Sequence, residues 1–243
     1  MSTVNDHYAL HLAPIYVWMA GGAQAALQAG SDDIASLSAL LPRTGRVVDL
    51  GAGFGMHSIP LAQAGFRVTA LDTSKLLLET LSQLRGDLPI LTVNDDLLNF
   101  RNYIAEPPAA VFCLGDTLTH LPSTTAVQTL CEQLAVALAE NGVFVASFRD
   151  YSLPLTGERR FIPVRSDADR ILTCFLEYQP ETVWVHDILH ERRDDHWHTR
   201  VSHYPKLRLA PGQLGKWLKA KGFAVTFAPG PRGMQQLTAK RLP

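Results

Sequence analysis

The chain of 243 residues contains little cysteine, no marked excess of either charge and no long apolar run. Its three cysteines, Cys113, Cys131 and Cys174, lie far apart, which excludes a disulfide-stabilised mini-protein and predicts free thiols in a reducing compartment. No stretch reaches the roughly 18 consecutive apolar residues of a transmembrane helix, and no basic stretch before an apolar run marks a signal peptide. These absences predict a cytoplasmic protein without a membrane partner.

The acidic and basic residues nearly cancel. There are 22 Lys and Arg residues against 23 Asp and Glu residues, so the net charge is −1 and no basic face for bulk nucleic acid is expected. Hydrophobic residues make up 47% and charged residues 19%, which is typical of a globular protein and excludes a disordered one. Glu191, His196 and His198 lie at a predicted turn without a thiolate, so no metal site is expected.

Short apolar runs alternate with helical patterns from residue 46 to residue 148. We predict strands at 47–50, 66–71, 90–93, 110–114 and 142–148, with helices at 57–64, 74–84 and 122–139. This alternation predicts an α/β fold with a doubly wound, mostly parallel sheet. The residues before it predict a helical cover, with one helix that begins after the N-cap residue Ser31 and ends before Pro42.

The alternation stops after Arg149. Three apolar runs at 171–178, 182–190 and 196–207 are separated by turns and predict an antiparallel insertion, which would cover the ligand edge as a lid. A helix at 211–221 and strands at 223–227 and 235–240 then complete a seven-stranded sheet. We therefore divide the chain into an N-terminal helical cover (1–44), a ligand-binding core (45–148), the lid (149–210) and the end of the core sheet (211–243). The alternation of the lid strands leaves open which of their faces packs on the core.

Residues 51–55 (Gly-Ala-Gly-Phe-Gly), which we call the glycine loop, follow the first predicted strand. Glycines let a ligand approach the backbone closely, and the amides at the start of the next helix then face that ligand. Asp72 ends the second strand, about 20 residues after the first glycine, where an acid accepts hydrogen bonds from ribose hydroxyls. Dinucleotide loops place a third glycine where this chain has Met56. Together with Asp49 before the loop, this favours a cofactor that carries an ammonium group over one that carries a pyrophosphate.

The glycine loop and Asp49 resemble motif I of the class I S-adenosylmethionine-dependent methyltransferases, and the resemblance extends over residues 46–243. It implies that S-adenosylmethionine is the cofactor, that S-adenosylhomocysteine is the product, and that the loop holds the methionine part through Gly51, Ala52 and Gly53. It also implies that Asp49 orients the loop and reaches the ammonium through water, and that Asp72 and Thr73 hold the ribose. The alternative is a glycine turn in a sheet that binds nothing.

Two further segments carry the resemblance. Asp96 and Leu97, after the third strand, are similar to the pair that contacts the adenine in this family. Asp95 replaces Asp96 in this role if the register shifts by one residue. The alternative to adenine binding is that the two acids only cap a short helix. Residues 115–121 (Gly-Asp-Thr-Leu-Thr-His-Leu), after the fourth strand, are similar to the loop of glycine N-methyltransferase and its small-molecule relatives, not to the Asp-Pro-Pro-Tyr loop of base and glutamine methyltransferases. The loop implies that Leu114, Gly115 and Asp116 lie beside the cofactor.

Five residues are candidates for the acceptor side: His120, Asp116, Tyr151, Arg149 and Trp18. His120 is the most plausible general base by its position, with Asp116 and Tyr151 as alternatives. Arg149 resembles an arginine that holds the acceptor carboxylate in glycine N-methyltransferase, although an ion pair with Asp150 is an equally good interpretation. Tyr16 is expected to close the methionine pocket and Trp18 to line the acceptor side, unless both are core aromatics of a helix.

The sequence therefore predicts methyl transfer from S-adenosylmethionine to the nitrogen, oxygen or sulfur of a small molecule, which the candidate role of Arg149 suggests carries a carboxylate. Two alternatives remain at this point: a non-catalytic protein that senses S-adenosylmethionine, and a nicotinamide-dependent oxidoreductase. The oligomeric state stays open at this point: the lid strands of this family can also form dimer contacts, so a homodimer is one candidate.

Overall fold

The computed structural model describes residues 4–243, so the first three residues of the predicted N-terminal cover lie outside the described part. The described chain contains a seven-stranded sheet and a separate four-stranded sheet. The first sheet consists of β1 (Gly45–Leu50), β2 (Phe66–Asp72), β3 (Ile90–Asn94), β4 (Ala110–Cys113), β5 (Val143–Phe148), β10 (Phe223–Pro229) and β11 (Gln235–Arg241). The second consists of β6 (Phe161–Ser166), β7 (Arg170–Tyr178), β8 (Thr182–Arg193) and β9 (His196–Leu207).

The seven strands lie in the order β10-β11-β5-β4-β1-β2-β3. β11 runs antiparallel to both of its neighbours, β10 and β5, whereas the remaining neighbouring pairs are parallel. Helices α3 (Ala23–Ser36), α4 (Ser58–Gln63) and α5 (Lys75–Leu84) cover one face, and α6 (Thr124–Ala137) and α7 (Pro211–Ala220) cover the other. Adjacent residues of β1 divide between the two cores, because Val47 packs with the first group and Val48 with the second. The predicted α/β architecture and its antiparallel insertion after β5 are therefore confirmed.

The N-terminal segment is an irregular chain of short helical pieces. It consists of α1 (Val4–His7), a π-helical turn (Tyr8–Leu12), a 3₁₀ turn (Ala13–Ile15) and α2 (Tyr16–Met19). The predicted start of a helix at Ser31 is wrong, because α3 begins at Ala23 and Ser31 lies inside it. Gly21 and Gly22, with φ of +98° and +92°, separate α2 from α3. None of the helices in the described part of the chain is long and apolar enough to cross a membrane.

The four-stranded lid sheet presents its inner face to the N-terminal segment. On this face β8 has four buried residues: Val183, Val185, Asp187 and Leu189. The residues between them, at every second position from Thr182 to His190, lie on the half-exposed outer face. Leu12 of the N-terminal segment packs against the inner face in one apolar cluster with Tyr151. The N-terminal segment is therefore packed between the lid sheet and the core sheet.

Candidate active site

A cavity lies at the edge of the sheet where the parallel strands end. Its walls come from the chain that follows β1, β2, β3 and β4, as expected for a ligand site in a doubly wound sheet. The lining includes ten residues that the sequence assigned to the cofactor: Tyr16, Gly51, Ala52, Gly53, Asp72, Thr73, Asp96, Leu97, Leu114 and Gly115. The strand ends thus bring most of the predicted cofactor residues together.

The glycine loop is fixed by hydrogen bonds to β2. The amides of Gly51 and Ala52 donate to the carbonyl of Leu71 at 2.8 and 2.9 Å, and the amide of Gly53 donates to the Asp72 carboxylate at 2.7 Å. Gly51 has a φ of +75°, and a Cβ atom there would lie 2.3 Å from the Thr117 side chain. Glycine is therefore required at this position both by the backbone and by the space available.

Two aspartates support the loop in different ways. Asp72 lines the cavity and accepts from the amides of Gly53 and Ser74, both at 2.7 Å. Burial raises the pKa of Asp72, although these two hydrogen bonds oppose the shift. Asp49 does not line the cavity; its carboxylate accepts from the Ser58 hydroxyl at 2.6 Å and joins β1 to the start of α4. Asp49 thus lies where it can orient the loop, and Asp72 where it can meet a ligand.

The geometry distinguishes between the two registers at the adenine end. Asp95 lies outside the cavity lining, and its carboxylate accepts from Asn99 at 2.9 Å and Tyr103 at 2.7 Å. Asp96 lines the cavity beside Leu97, and it also caps the 3₁₀ helix that follows by accepting from the Leu98 amide at 2.8 Å. Asp96 therefore combines the capping role with a position that a ligand can reach.

Asp116 lies below the cavity and binds four side-chain and backbone groups. Its Oδ1 accepts from the Arg149 amide at 2.9 Å and the Thr119 hydroxyl at 3.1 Å, while Oδ2 accepts from Tyr151 at 3.0 Å and from the ammonium of Lys206. We call these residues the Asp116 network. Burial opposes ionisation of Asp116, but Lys206 and the hydrogen bonds outweigh it and lower the pKa of this carboxyl below its ordinary value. The network joins β9 of the lid to the chain that follows β4 and β5.

His120 lines the cavity and contacts two tyrosines. Its ring stacks on Tyr204 with a centroid distance of 5.4 Å and an interplanar angle of 7°, and its Nε2 lies 3.4 Å from the Tyr8 hydroxyl. Burial and the positive charge of Lys206 lower the pKa of His120 to about 3, although Asp116 opposes this shift. His120 is therefore neutral near pH 7 and suited to accept a hydrogen bond.

The charges around the cavity indicate the kind of ligand that it fits. Among the described residues, the lining contains two aspartates, Asp72 and Asp96, and neither lysine nor arginine. S-adenosylmethionine carries an ammonium and a sulfonium, which suit such a lining, whereas the pyrophosphate of a dinucleotide would lack a cationic partner. Tyr16, whose pKa burial and Asp72 raise to about 12, contributes an uncharged hydroxyl near neutral pH.

Comparison with known proteins agrees with this chemistry. A model described as a methyltransferase domain matches residues 47–142. The ubiquinone biosynthesis O-methyltransferase of Xylella fastidiosa is 31% identical over 200 residues, which span 81% of this chain and 68% of that protein. The chain belongs to the class I S-adenosylmethionine-dependent methyltransferases. This membership argues against the nicotinamide-dependent alternative.

Other relatives of this methyltransferase are matched over shorter stretches or at lower identity. The glycine/sarcosine N-methyltransferase of Aphanothece halophytica is 34% identical over 112 residues, which span 45% of this chain and 42% of the relative. The CcbJ methyltransferase of Streptomyces caelestis superimposes with a TM-score of 0.79 over the full length of both chains at 17% identity. CalS10, an amino pentose methyltransferase of Micromonospora echinaspora, has a TM-score of 0.75 at 15% identity, with 96% and 97% of the chains covered. At these identities the two structures support the fold alone.

Of the predicted acceptor-side residues, His120 lines the methyltransferase cavity, whereas Arg149 and Tyr151 do not. Tyr151 is buried in the Asp116 network, and Arg149 follows the end of β5. The carboxylate of Asp150 accepts from the Ser152 amide at 2.9 Å, and no described acid forms an ion pair with Arg149. The guanidinium of Arg149 thus differs from the side chains around it in having no fixed acidic partner.

The N-terminal segment, not the lid sheet, covers the cavity. Val4, Asn5, Tyr8 and Tyr16 line it, whereas no residue of 149–210 does. The expectation that Trp18 lines the acceptor side is wrong, because its indole donates to Asp167 at 2.5 Å and lies under Arg170 of the lid. Three residues at the site, Tyr8, His57 and Lys206, are not predicted from the sequence. Of these, only His57 has a local signal, its position next to the glycine loop.

Proposed function

We propose that this chain transfers the methyl group of S-adenosylmethionine to an amine nitrogen of a small molecule that carries a carboxylate. The cavity at the sheet edge carries the proposal, because its acidic lining suits the two positive charges of the donor and its far wall presents neutral His120 and Tyr8. In the transfer, the nitrogen lone pair forms the new N–C bond while the C–S bond breaks. The electron pair of that bond goes to sulfur, which leaves as the thioether of S-adenosylhomocysteine.

The choice of nitrogen depends on the protonation of the groups around the cavity. A hydroxyl or thiol acceptor must give up its proton at or before transfer, whereas a neutral amine attacks directly and the product ammonium keeps the proton. Because the pKa of His120 is about 3, this residue is a weak base that would not hold an acceptor's proton near pH 7. Burial raises the pKa of Tyr8 and Tyr16, so their hydroxyls stay protonated and do not act as bases either. His120 thus serves as a hydrogen-bond acceptor for the N–H of the amine, a weaker role than that of the general base expected from its position.

The carboxylate follows from Arg149. A guanidinium binds a carboxylate with two parallel hydrogen bonds, and among the described residues no acid engages this one. Burial and the Asp116 network hold the neighbouring Tyr151, so Arg149 extends from a fixed part of the chain. The names of the relatives point to both nitrogen and oxygen acceptors, so His120 and Arg149 are the observations that support an amine with a carboxylate.

The experiment is an acceptor screen with matched pairs. Purified protein and S-adenosylmethionine are incubated with α-amino acids, with the same amines without the carboxylate, and with the corresponding hydroxy and thiol acids, and S-adenosylhomocysteine is quantified. We expect turnover with carboxylate-bearing amines. Arg149→Gln should raise KM for these acceptors about 10-fold or more while it leaves the affinity for S-adenosylmethionine unchanged.

Three results would contradict parts of the proposal. Turnover only with hydroxy or thiol acceptors would exclude the amine, and equal KM values with and without the carboxylate would exclude the role of Arg149. Micromolar binding of S-adenosylmethionine without turnover in a broad screen would favour the non-catalytic sensor. The homodimer and the cytoplasmic location stay predictions.

A further inference from the structure

A three-residue charge cluster lies beside the glycine loop and plays no part in the proposed transfer step. Asp33 of α3 has one carboxylate oxygen, Oδ2, 3.1 Å from Nε2 of His57 and 2.8 Å from Nη2 of Arg232. The side chains of Asp33 and His57 are only 14% and 9% exposed, whereas Arg232 is 40% exposed. Residues 33 and 232 are 199 positions apart, so the cluster joins the first long helix to the turn between β10 and β11.

The turn that carries Arg232 has an uncommon backbone conformation. Arg232 lies in the left-handed region, with φ of +55° and ψ of +33°, between Pro231 and Gly233. A non-glycine residue in this region is strained and persists where the surroundings hold it. Here the ion pair with Asp33 holds the side chain in place.

His57 is the member of the cluster that reaches the cavity. It lines the wall together with Phe54 and Met56, directly after the glycine loop. Its Nε2 faces Asp33, and this is the one side-chain hydrogen bond of His57 among the described residues, so Nδ1 is left for a ligand. The positive charge of Arg232 also acts on Tyr16, which lines the same cavity.

The cofactor has one negative group, the carboxylate of its methionine part, and the cavity wall offers few partners for it. No lysine or arginine lines the described cavity, and His120 contacts Tyr8 and Tyr204 on the acceptor side. We propose that His57, held by Asp33 and Arg232, binds the cofactor carboxylate through Nδ1. This inference rests on the proposed function, because it assigns a residue to the same cofactor.

The charges that face His57 determine its state. Asp33 and Asp49 are its acidic neighbours, and Arg232 is the cation that shares Asp33. Burial opposes ionisation of Asp33, but hydrogen bonds from His57 and Arg232 outweigh it and lower the pKa of Asp33. An ionised Asp33 stabilises an imidazolium, which donates Nε2–H to Asp33 and Nδ1–H to the ligand.

The test compares two ligands that differ in the carboxylate alone. Isothermal titration calorimetry measures the affinity of the full chain for S-adenosylmethionine and for decarboxylated S-adenosylmethionine. The wild type should prefer the carboxylate form by about 10- to 100-fold, as expected for one charge-assisted hydrogen bond. His57→Gln, whose amide retains the contact with Asp33 but lacks Nδ1, should reduce this preference to within about 2-fold.

His120→Gln is the matched control, since it changes the other histidine of the cavity wall and should leave the preference between the two ligands as it is in the wild type. A His57→Gln protein that keeps the full preference overturns the assignment. If neither ligand binds the wild type, the proposed function itself fails, which is a distinguishable result.

The comparison of the two ligands on the unaltered protein does not depend on the folding of a variant. Equal affinities of the wild type for S-adenosylmethionine and for its decarboxylated form overturn the proposal.

Discussion

The buried His120 predicts that this protein loses stability in mild acid. Burial and the Lys206 ammonium lower the pKa of His120 to about 3 in the folded state, whereas an unfolded chain exposes a histidine of pKa about 6.5. Below pH 6.5 the unfolded chain therefore binds a proton that the folded chain does not. The contribution of His120 to stability is complete above pH 6.5 and is lost as the pH falls towards 3.

The size of the loss follows from the same two values. Each pH unit well below 6.5 costs about 1.4 kcal/mol, and the slope is half of that at pH 6.5 itself. Between pH 6.5 and pH 4.5 the loss from His120 is therefore about 2 kcal/mol. Asp116 and Asp33 have lowered pKa values, and their protonation removes further stability at lower pH.

A variant separates the histidine from these carboxyl groups. Urea denaturation of the wild type and of His120→Gln at pH 6.5 and pH 4.5 gives four free energies of unfolding. For each protein the value at pH 4.5 is subtracted from the value at pH 6.5, and the difference between the two proteins is the contribution of His120. We expect the wild type to lose about 2 kcal/mol more than the variant. His196→Gln, at an exposed position in the lid turn, is the control and should behave as the wild type. Equal losses in the wild type and in His120→Gln would refute the argument, as would a His120 imidazole that titrates near pH 6 by NMR.

Three further predictions concern single contacts. Lys206→Met leaves buried Asp116 without its cation, so it should reduce the free energy of unfolding by about 3–5 kcal/mol in urea titrations. The double variant Lys206→Met/Asp116→Asn should recover part of this loss, because it removes the unpaired charge. A loss under about 1 kcal/mol in Lys206→Met would contradict a buried ion pair. Asp72→Asn should weaken S-adenosylmethionine binding by about 10-fold or more with unchanged circular dichroism, and unchanged affinity in calorimetry would remove Asp72 from the ribose site. Gly51→Ala should reduce both cofactor affinity and melting temperature, because its Cβ meets Thr117 and its φ is +75°; a variant with wild-type values would show that the loop adapts freely.

The sequence predicted the core sheet well because each core strand is a short apolar run that ends in a polar or glycine residue. It missed β6 and misplaced α3 for identifiable reasons. Strand β6 lies at the edge of the lid, has Phe161 half exposed, and contains Pro163 next to a register shift, so its pattern is weak. Ser31 is a good N-cap residue type, but the paired glycines before Ala23 decide where the helix begins.

The same contrast holds for the candidate site. Gly51, Asp72 and Asp96 each follow a strand, and parallel strands end at one edge of the sheet, so local motifs were enough to find them. Lys206 was missed because its partner Asp116 lies 90 residues away in another sheet, and no local pattern distinguishes it from a surface lysine. The cofactor side of the cavity is thus encoded locally, while the acceptor side depends on long-range packing.

This difference has a consequence for how the lid acts. No lid residue lines the cavity, yet Lys206 of β9 binds Asp116 and Tyr204 of β9 stacks on His120, so the lid reaches the acceptor side through two fixed contacts. The N-terminal segment lies between and supplies Tyr8 and Tyr16 to the wall. Substitutions on the inner face of the lid should therefore change the orientation of His120, whereas substitutions in the N-terminal segment should change the shape of the space that the acceptor enters.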